Sequence, residues 1–111
     1  MEGVTGLALV ALPSRLGALL LGSSIDAPAA LTLARLAGVA LVALALTCWL
    51  TRHDGQTRAA RGLVMAMALY HTGVAMVLCY ASIGLALSGV GLWPTVLFHA
   101  GMTVWCLKTS R

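Results

Sequence analysis

The sequence predicts an all-α fold: an integral membrane four-helix bundle of up-down topology, with a first span that is kinked or short. Three observations carry this. First, 60% of the 111 residues are hydrophobic and only 9% charged, with a mean hydropathy of +0.97. Small soluble domains bury the smallest share of their surface and could not hide so much apolar material. Second, positions 62 through 107, 46 in all, hold no Asp, Glu, Lys or Arg. One helix of that length would extend about 69 Å, against a bilayer core of about 30 Å. The stretch therefore suits two spans joined by a tight turn. Third, the Ala/Leu/Val/Gly runs show no period-2 alternation, which selects helices over a barrel.

The chain reads as a single transmembrane domain, 1–111, with spans at 3–22, 29–51, 62–87 and 92–107. The first span is the weakest, because Pro13 and Arg15 sit in its middle. Proline removes a backbone donor and crowds the preceding turn. Two forms stay open: one kinked span, or a short span (1–12) followed by an interfacial helix (15–22). Residues 23–28 form a turn in which Ser24 or Asp26 can cap the second span and Pro28 suits its first turn. The polar segment 52–61 contains the turn signal Asp54-Gly55. The third span runs to Leu87, residues 88–91 turn the chain, and Pro94 opens the fourth.

Charge sets the orientation. Arg52, Arg58 and Arg61 lie in the 52–61 loop, Lys108 and Arg111 at the C-terminus, and no basic residue in 88–91. The positive-inside rule places the 52–61 loop and both termini in the cytoplasm of a bacterial inner membrane. Trp49 and Trp105 then fall at the inner interface and Trp93 at the outer one. The net charge of +4 is explained by this topology. No basic patch interleaved with aromatics suggests nucleic acid. Cys48, Cys79 and Cys106 all lie within spans, an odd number that argues against a disulfide framework.

Small residues mark where membrane helices pack closely. Ala30, Ala34 and Gly38 repeat every four positions. Ala68, Thr72, Ala75, Cys79, Ser82 and Ala86 alternate by four and three, and Thr95, His99, Thr103 and Cys106 share a face of the last span. These stripes suit packing within the bundle, or docking of another transmembrane subunit or a second copy.

His71 and His99 invite a haem reading, since haem iron is often held by His. With the turn centred near residue 89.5, however, His99 is level with Tyr80, and His71 with Lys108. The gap is about 14 Å along the membrane normal. The expectation is no shared haem, no metal site and no cofactor. The only glutamate, Glu2, stands at the extreme N-terminus, so the spans carry no acid and no catalytic residue is expected.

Arg35 is the charge inside the second span. Charged groups there usually face the interior or a water-filled cavity. The same depth rule places it near Leu78 and His99, so Arg35, Ser82, Thr95 and His99 are expected to line a polar pocket in the outer half of the membrane. The competing reading has Arg35 snorkelling toward Asp26 or a lipid phosphate.

The segments Leu33-Ala34-Arg35-Leu36-Ala37-Gly38, Leu92-Trp93-Pro94 and Leu97-Phe98-His99, together with the Arg-rich loop, resemble a family of uncharacterised small bacterial four-span membrane proteins. The resemblance covers 12–107 and implies the four-span fold but no activity. The expected function is a non-enzymatic accessory, assembly or scaffold subunit of an inner-membrane complex or homo-oligomer, in contact with membrane lipids. The alternative is a small carrier or binder of an anionic lipid, quinone or other lipophilic ligand.

Overall fold

A computed structural model describes residues 2–111; residue 1 lies outside them. Among the described residues there are five helices and no strand: α1 (Glu2–Ala11), α2 (Pro13–Leu21), α3 (Pro28–Leu50), α4 (Arg58–Ile83) and α5 (Leu92–Thr109). Two of them, α3 and α4, are long and apolar enough to cross a membrane. Of their most apolar 18-residue windows, only 11% and 22% of residues are buried within the molecule. Leu33, Leu69, Met76 and Ile83 are among the large apolar side chains left exposed. Water would penalise that surface by about 25 cal/mol for every Å²; hydrocarbon does not. The longest dimension is 43 Å, close to a bilayer of about 40–45 Å with headgroups.

The first apolar segment is not a straight span. The chain breaks at Leu12, and α1 and α2 meet at 116°. Pro13 opens α2, where its fixed φ and missing N–H do no harm. In a continued helix the same residue would have left the Leu9 carbonyl without a donor.

Close backbone packing joins α1 to α3 and α4 to α5, each pair antiparallel. The α1–α3 contact is centred on two glycines. A Cβ on Gly38 would lie 2.6 Å from the Gly6 carbonyl oxygen, and a Cβ on Gly6 would lie 2.7 Å from that of Gly38. Ala30 and Ala34 are half-buried on the same face of α3, and Gly38 is buried. On α4, Ala68 is buried, Ala75, Cys79 and Ser82 are half-buried, and Thr72 is exposed while bonding Thr103 of α5 at 3.3 Å.

Two apolar layers lie along the α4–α5 seam. One holds Met67, Ala68 and Cys106 with Leu44 and Cys48 of α3 against them. The other holds Leu78, Leu92 and Val96 with Leu21 of α2. His71 and His99 sit between these layers.

Three local expectations are corrected. Neither Ser24 nor Asp26 caps α3: its N-cap is Ala27, without a side-chain bond. Ser24 instead donates to Asp26 Oδ2 at 2.6 Å. The cap in the polar loop is Thr57, whose hydroxyl accepts from the Ala60 N–H at 3.1 Å, so Arg58 and Arg61 belong to the first turn of α4. At its other end α4 stops at Ile83, four residues short of Leu87. Ala86 leaves the helix with φ +53°, and the Leu87 N–H turns back to the Ala81 carbonyl at 2.9 Å.

What draws the chain off the helix axis is α2. Gly89 N–H donates to the Leu20 carbonyl at 3.0 Å and Gly91 N–H to the Leu19 carbonyl at 2.8 Å. Those carbonyls end α2 and have no intrahelical donors. A Cβ on Gly89 would run into the Leu19 carbonyl, whereas a Cβ on Gly91 first meets Leu19 Cγ at 3.1 Å, a side-chain atom. Gly89→Ala is therefore expected to cost about 1–3 kcal/mol, clearly more than Gly91→Ala. Thermal unfolding in detergent compares the two.

Candidate functional site

α4 and α5 carry one histidine each on their facing sides, and the early end of α4 brings them level. His71 Nδ1 and His99 Nδ1 are 2.7 Å apart, a direct hydrogen bond. The depth expectation is overturned: the midpoint of positions 71 and 99 is 85, not 89.5. The non-helical passage of 84–91 across α2 takes up residues without adding depth.

Both rings are buried, at 1% and 8% exposure. Aromatic rings enclose them. Tyr70 lies 5.1 Å from His71 and 5.8 Å from His99 between ring centres, and Phe98 lies 6.4 Å and 5.5 Å from the same two. One Nδ1 must carry a proton and the other accept it, so the pair holds complementary tautomers.

A third group completes the site. Gly6 presses α1 onto α3, and one turn earlier Glu2 reaches inward. Its Oε1 stands 3.7 Å from His71 Nε2, with Glu2 only 16% exposed. His71 Nε2 itself is sealed from solvent and has no hydrogen-bond partner. The interior therefore does hold an acid, contrary to expectation. The most self-consistent arrangement has His71 Nε2–H facing the carboxylate and His71 Nδ1 accepting from His99 Nδ1–H.

Two cavities flank this chain of groups. The first, about 270 Å³, is lined by Leu16 and Leu19 of α2, Tyr70, and Thr95, Phe98 and His99 of α5, with Glu2 at its wall. The second, about 520 Å³, lies under the 52–57 turn and is lined by Arg52, Gln56, His71, Trp105 and Cys106. Glu2 borders both, His99 the first and His71 the second.

Of the four residues expected to share a pocket, Thr95 and His99 line the first cavity, while Arg35 and Ser82 do not. Arg35 turns to α1 instead, where its Nε donates to the Val10 carbonyl at 3.4 Å. The break at Pro13 leaves the last carbonyls of α1 without the N–H groups a continued helix would supply, and within a membrane such groups need donors. Arg35 serves that break.

Depth does not separate the two rings, but their direct contact opposes a shared ion. Two imidazole nitrogens on one tetrahedral metal would stand about 3.4 Å apart, from bonds of about 2.1 Å. The two here touch. Among the described residues no three His, Cys, Asp or Glu side chains are grouped to hold a metal.

Comparison with protein-family models, curated proteins and solved structures returns no match, so the geometry alone carries the functional reading.

Proposed function

We infer that the chain is a small multi-pass protein of the bacterial inner membrane that binds a lipophilic ligand in the cavity between α2 and α5. The supporting observation is that cavity: apolar walls from Leu16, Leu19 and Phe98, with Thr95 and His99 converging on it. A mostly apolar recess with a few converging polar groups is the usual form of a small-molecule site. Glu2 at its wall, and Arg35 directed elsewhere, disfavour an anionic lipid. A neutral ligand with hydrogen-bonding oxygens, of which a quinone is the type, suits the lining better.

The reading takes α3, α4 and α5 as three crossings and the broken α1–α2 pair as a fourth. The basic 52–61 segment and both termini are cytoplasmic, by the distribution of Lys and Arg. Filling the recess tests the ligand. A short-chain benzoquinone should quench aromatic fluorescence of the wild-type protein saturably in detergent, and Leu16→Trp should abolish the saturable part. Absence of saturable quenching, or an unchanged titration in Leu16→Trp, defeats the reading.

A second reading, an accessory subunit or homo-oligomer without enzymatic activity, is favoured by the outward face of α4 and α5. An apolar groove of about 410 Å³ runs along Leu69, Gly73 and Val77. Gly73 and Gly101 have open space where a Cβ would stand, and small outward residues permit close helix approach. Purification in mild detergent with mass determination tests it; a strictly monomeric protein that brings down no other chain contradicts it.

A further inference from the structure

We propose that His99, His71 and Glu2 form a proton path through the molecule, joining the cavity between α2 and α5 to the cavity beneath the 52–57 turn. This rests on the preceding reading only for membrane residence; it requires no lipophilic ligand. Ionisable groups inside membrane proteins are costly, and they recur as proton relays. Here three lie in series. His99 borders the first cavity, and Glu2 borders both the first and the second. His71 connects them, by the 2.7 Å Nδ1–Nδ1 bond on one side and the 3.7 Å approach to the carboxylate on the other. Because His71 Nε2 is sealed and unpartnered, the adjacent carboxylate is its outlet.

The transfer balances. In the resting state His99 carries its proton on Nδ1, His71 carries its proton on Nε2, and Glu2 is ionised. A proton from water in the first cavity bonds to His99 Nε2. The His99 Nδ1 proton moves to His71 Nδ1, and the His71 Nε2 proton moves to Glu2 Oε1 as that gap closes. Counting the O–H bond broken in the donor hydronium of the first cavity, three bonds to hydrogen form and three break, and one positive charge crosses from His99 to Glu2. Release from Glu2 to the second cavity leaves each ring in the opposite tautomer, and exchange with cavity water restores the first ones, each ring losing the proton from one nitrogen and gaining one at the other.

Other titratable and charged groups border the path without interrupting it. Tyr70 of α4 packs on both rings. Cys48 of α3, Cys106 of α5 and Arg52 line the second cavity with His71. The two imidazoles contact each other directly.

The full chain in vesicles of phosphatidylethanolamine and phosphatidylglycerol, enclosing a pH-sensitive dye, tests the proposal. A potassium gradient with valinomycin supplies the driving potential. Wild-type vesicles should acidify faster than protein-free ones. His99→Gln, His71→Gln and Glu2→Gln should each fall to the protein-free rate, with Ser82→Ala retaining the wild-type rate.

Wild-type vesicles no more permeable than protein-free ones would overturn the path. So would His99→Gln at the wild-type rate, which would mean that Glu2, open to both cavities, exchanges protons alone. Nitrogen-15 spectra of wild-type histidines do not depend on variant folding. They should show one protonated and one bare Nδ1 with coupling across the N–H···N bond, and two uncoupled rings would refute the proposal. Benzoquinone binding is measured separately, so loss of flux with quinone binding intact fails the path alone, and the converse fails the ligand reading alone.

Discussion

Gly38→Leu is expected to be among the most damaging single substitutions in α3, costing about 3 kcal/mol as an overpacked helix contact. The reason is the nature of the atom it meets. A Cβ at position 38 would lie 2.6 Å from the Gly6 backbone oxygen, and near Val10 Cγ2 and Leu9 Cβ at 2.9 Å and 3.0 Å. A side-chain end could swing aside, but a carbonyl can move only with α1 itself. Membrane helices have no hydrophobic drive to hold them together, so association depends on close van der Waals fit. Separating α1 from α3 forfeits much of it. Glu2 stands one turn from Gly6, so the displacement also carries the carboxylate away from His71. The variant should lose vesicle proton flux although Gly38 touches none of the three groups. Gly73→Ala, at a position with open space around the added methyl, is the control and should change stability by less than about 1 kcal/mol. Thermal unfolding in detergent, followed by circular dichroism, measures both. Equal midpoints for Gly38→Leu and wild type would refute this packing.

The two glycines illustrate what the sequence makes visible. The spacing of Ala30, Ala34 and Gly38 marks a close-packed face, and proline at positions 28 and 94 marks two helix starts, because these signals act within one turn of the residue that carries them. The end of α4 is not visible in this way. Residues 83–87 read as continued apolar helix, and what ends it is a competition decided elsewhere: the Leu19 and Leu20 carbonyls, left over at the end of α2, capture Gly91 and Gly89. Moving the midpoint of the turn from 89.5 to 85 shifts the depth match between α4 and α5 by twice that difference, about 14 Å along the helices, which is the whole separation expected between two histidines that touch in the fold. In the sequence Arg35 points to a pocket, because charges in spans usually face polar groups. It does face one, but the group is a backbone carbonyl exposed by the Pro13 break. In the sequence Glu2 reads as lying outside the spans, because it precedes the first apolar run. The signal that could have placed it inside was local: Gly3 and Gly6 form a small face on α1 to match that of α3, and Glu2 precedes it directly.

The hydrogen bond between the histidines yields the second large effect. His99→Leu leaves His71 with both ring nitrogens unpartnered, because Nε2 already lacks a hydrogen bond and Nδ1 loses the one it has. His71→Leu creates an unpartnered His99 Nδ1 but removes the unpartnered His71 Nε2. Each buried polar atom stripped of its partner costs about 1–3 kcal/mol, whereas replacing both partners by apolar groups is nearly neutral. His99→Leu should therefore destabilise more than His71→Leu, and the double variant less than the sum of the two. Such non-additivity is the signature of residues in direct contact. Unfolding of the three variants in one detergent measures it; equal single costs that add in the double variant would mean that the two rings do not depend on each other. Stability and conduction should also part company. The double leucine variant is expected to recover part of the lost stability while carrying no protons, since two apolar side chains pack in the seam but neither can accept a proton from the first cavity. A merely structural histidine pair would not separate the two measurements in this way.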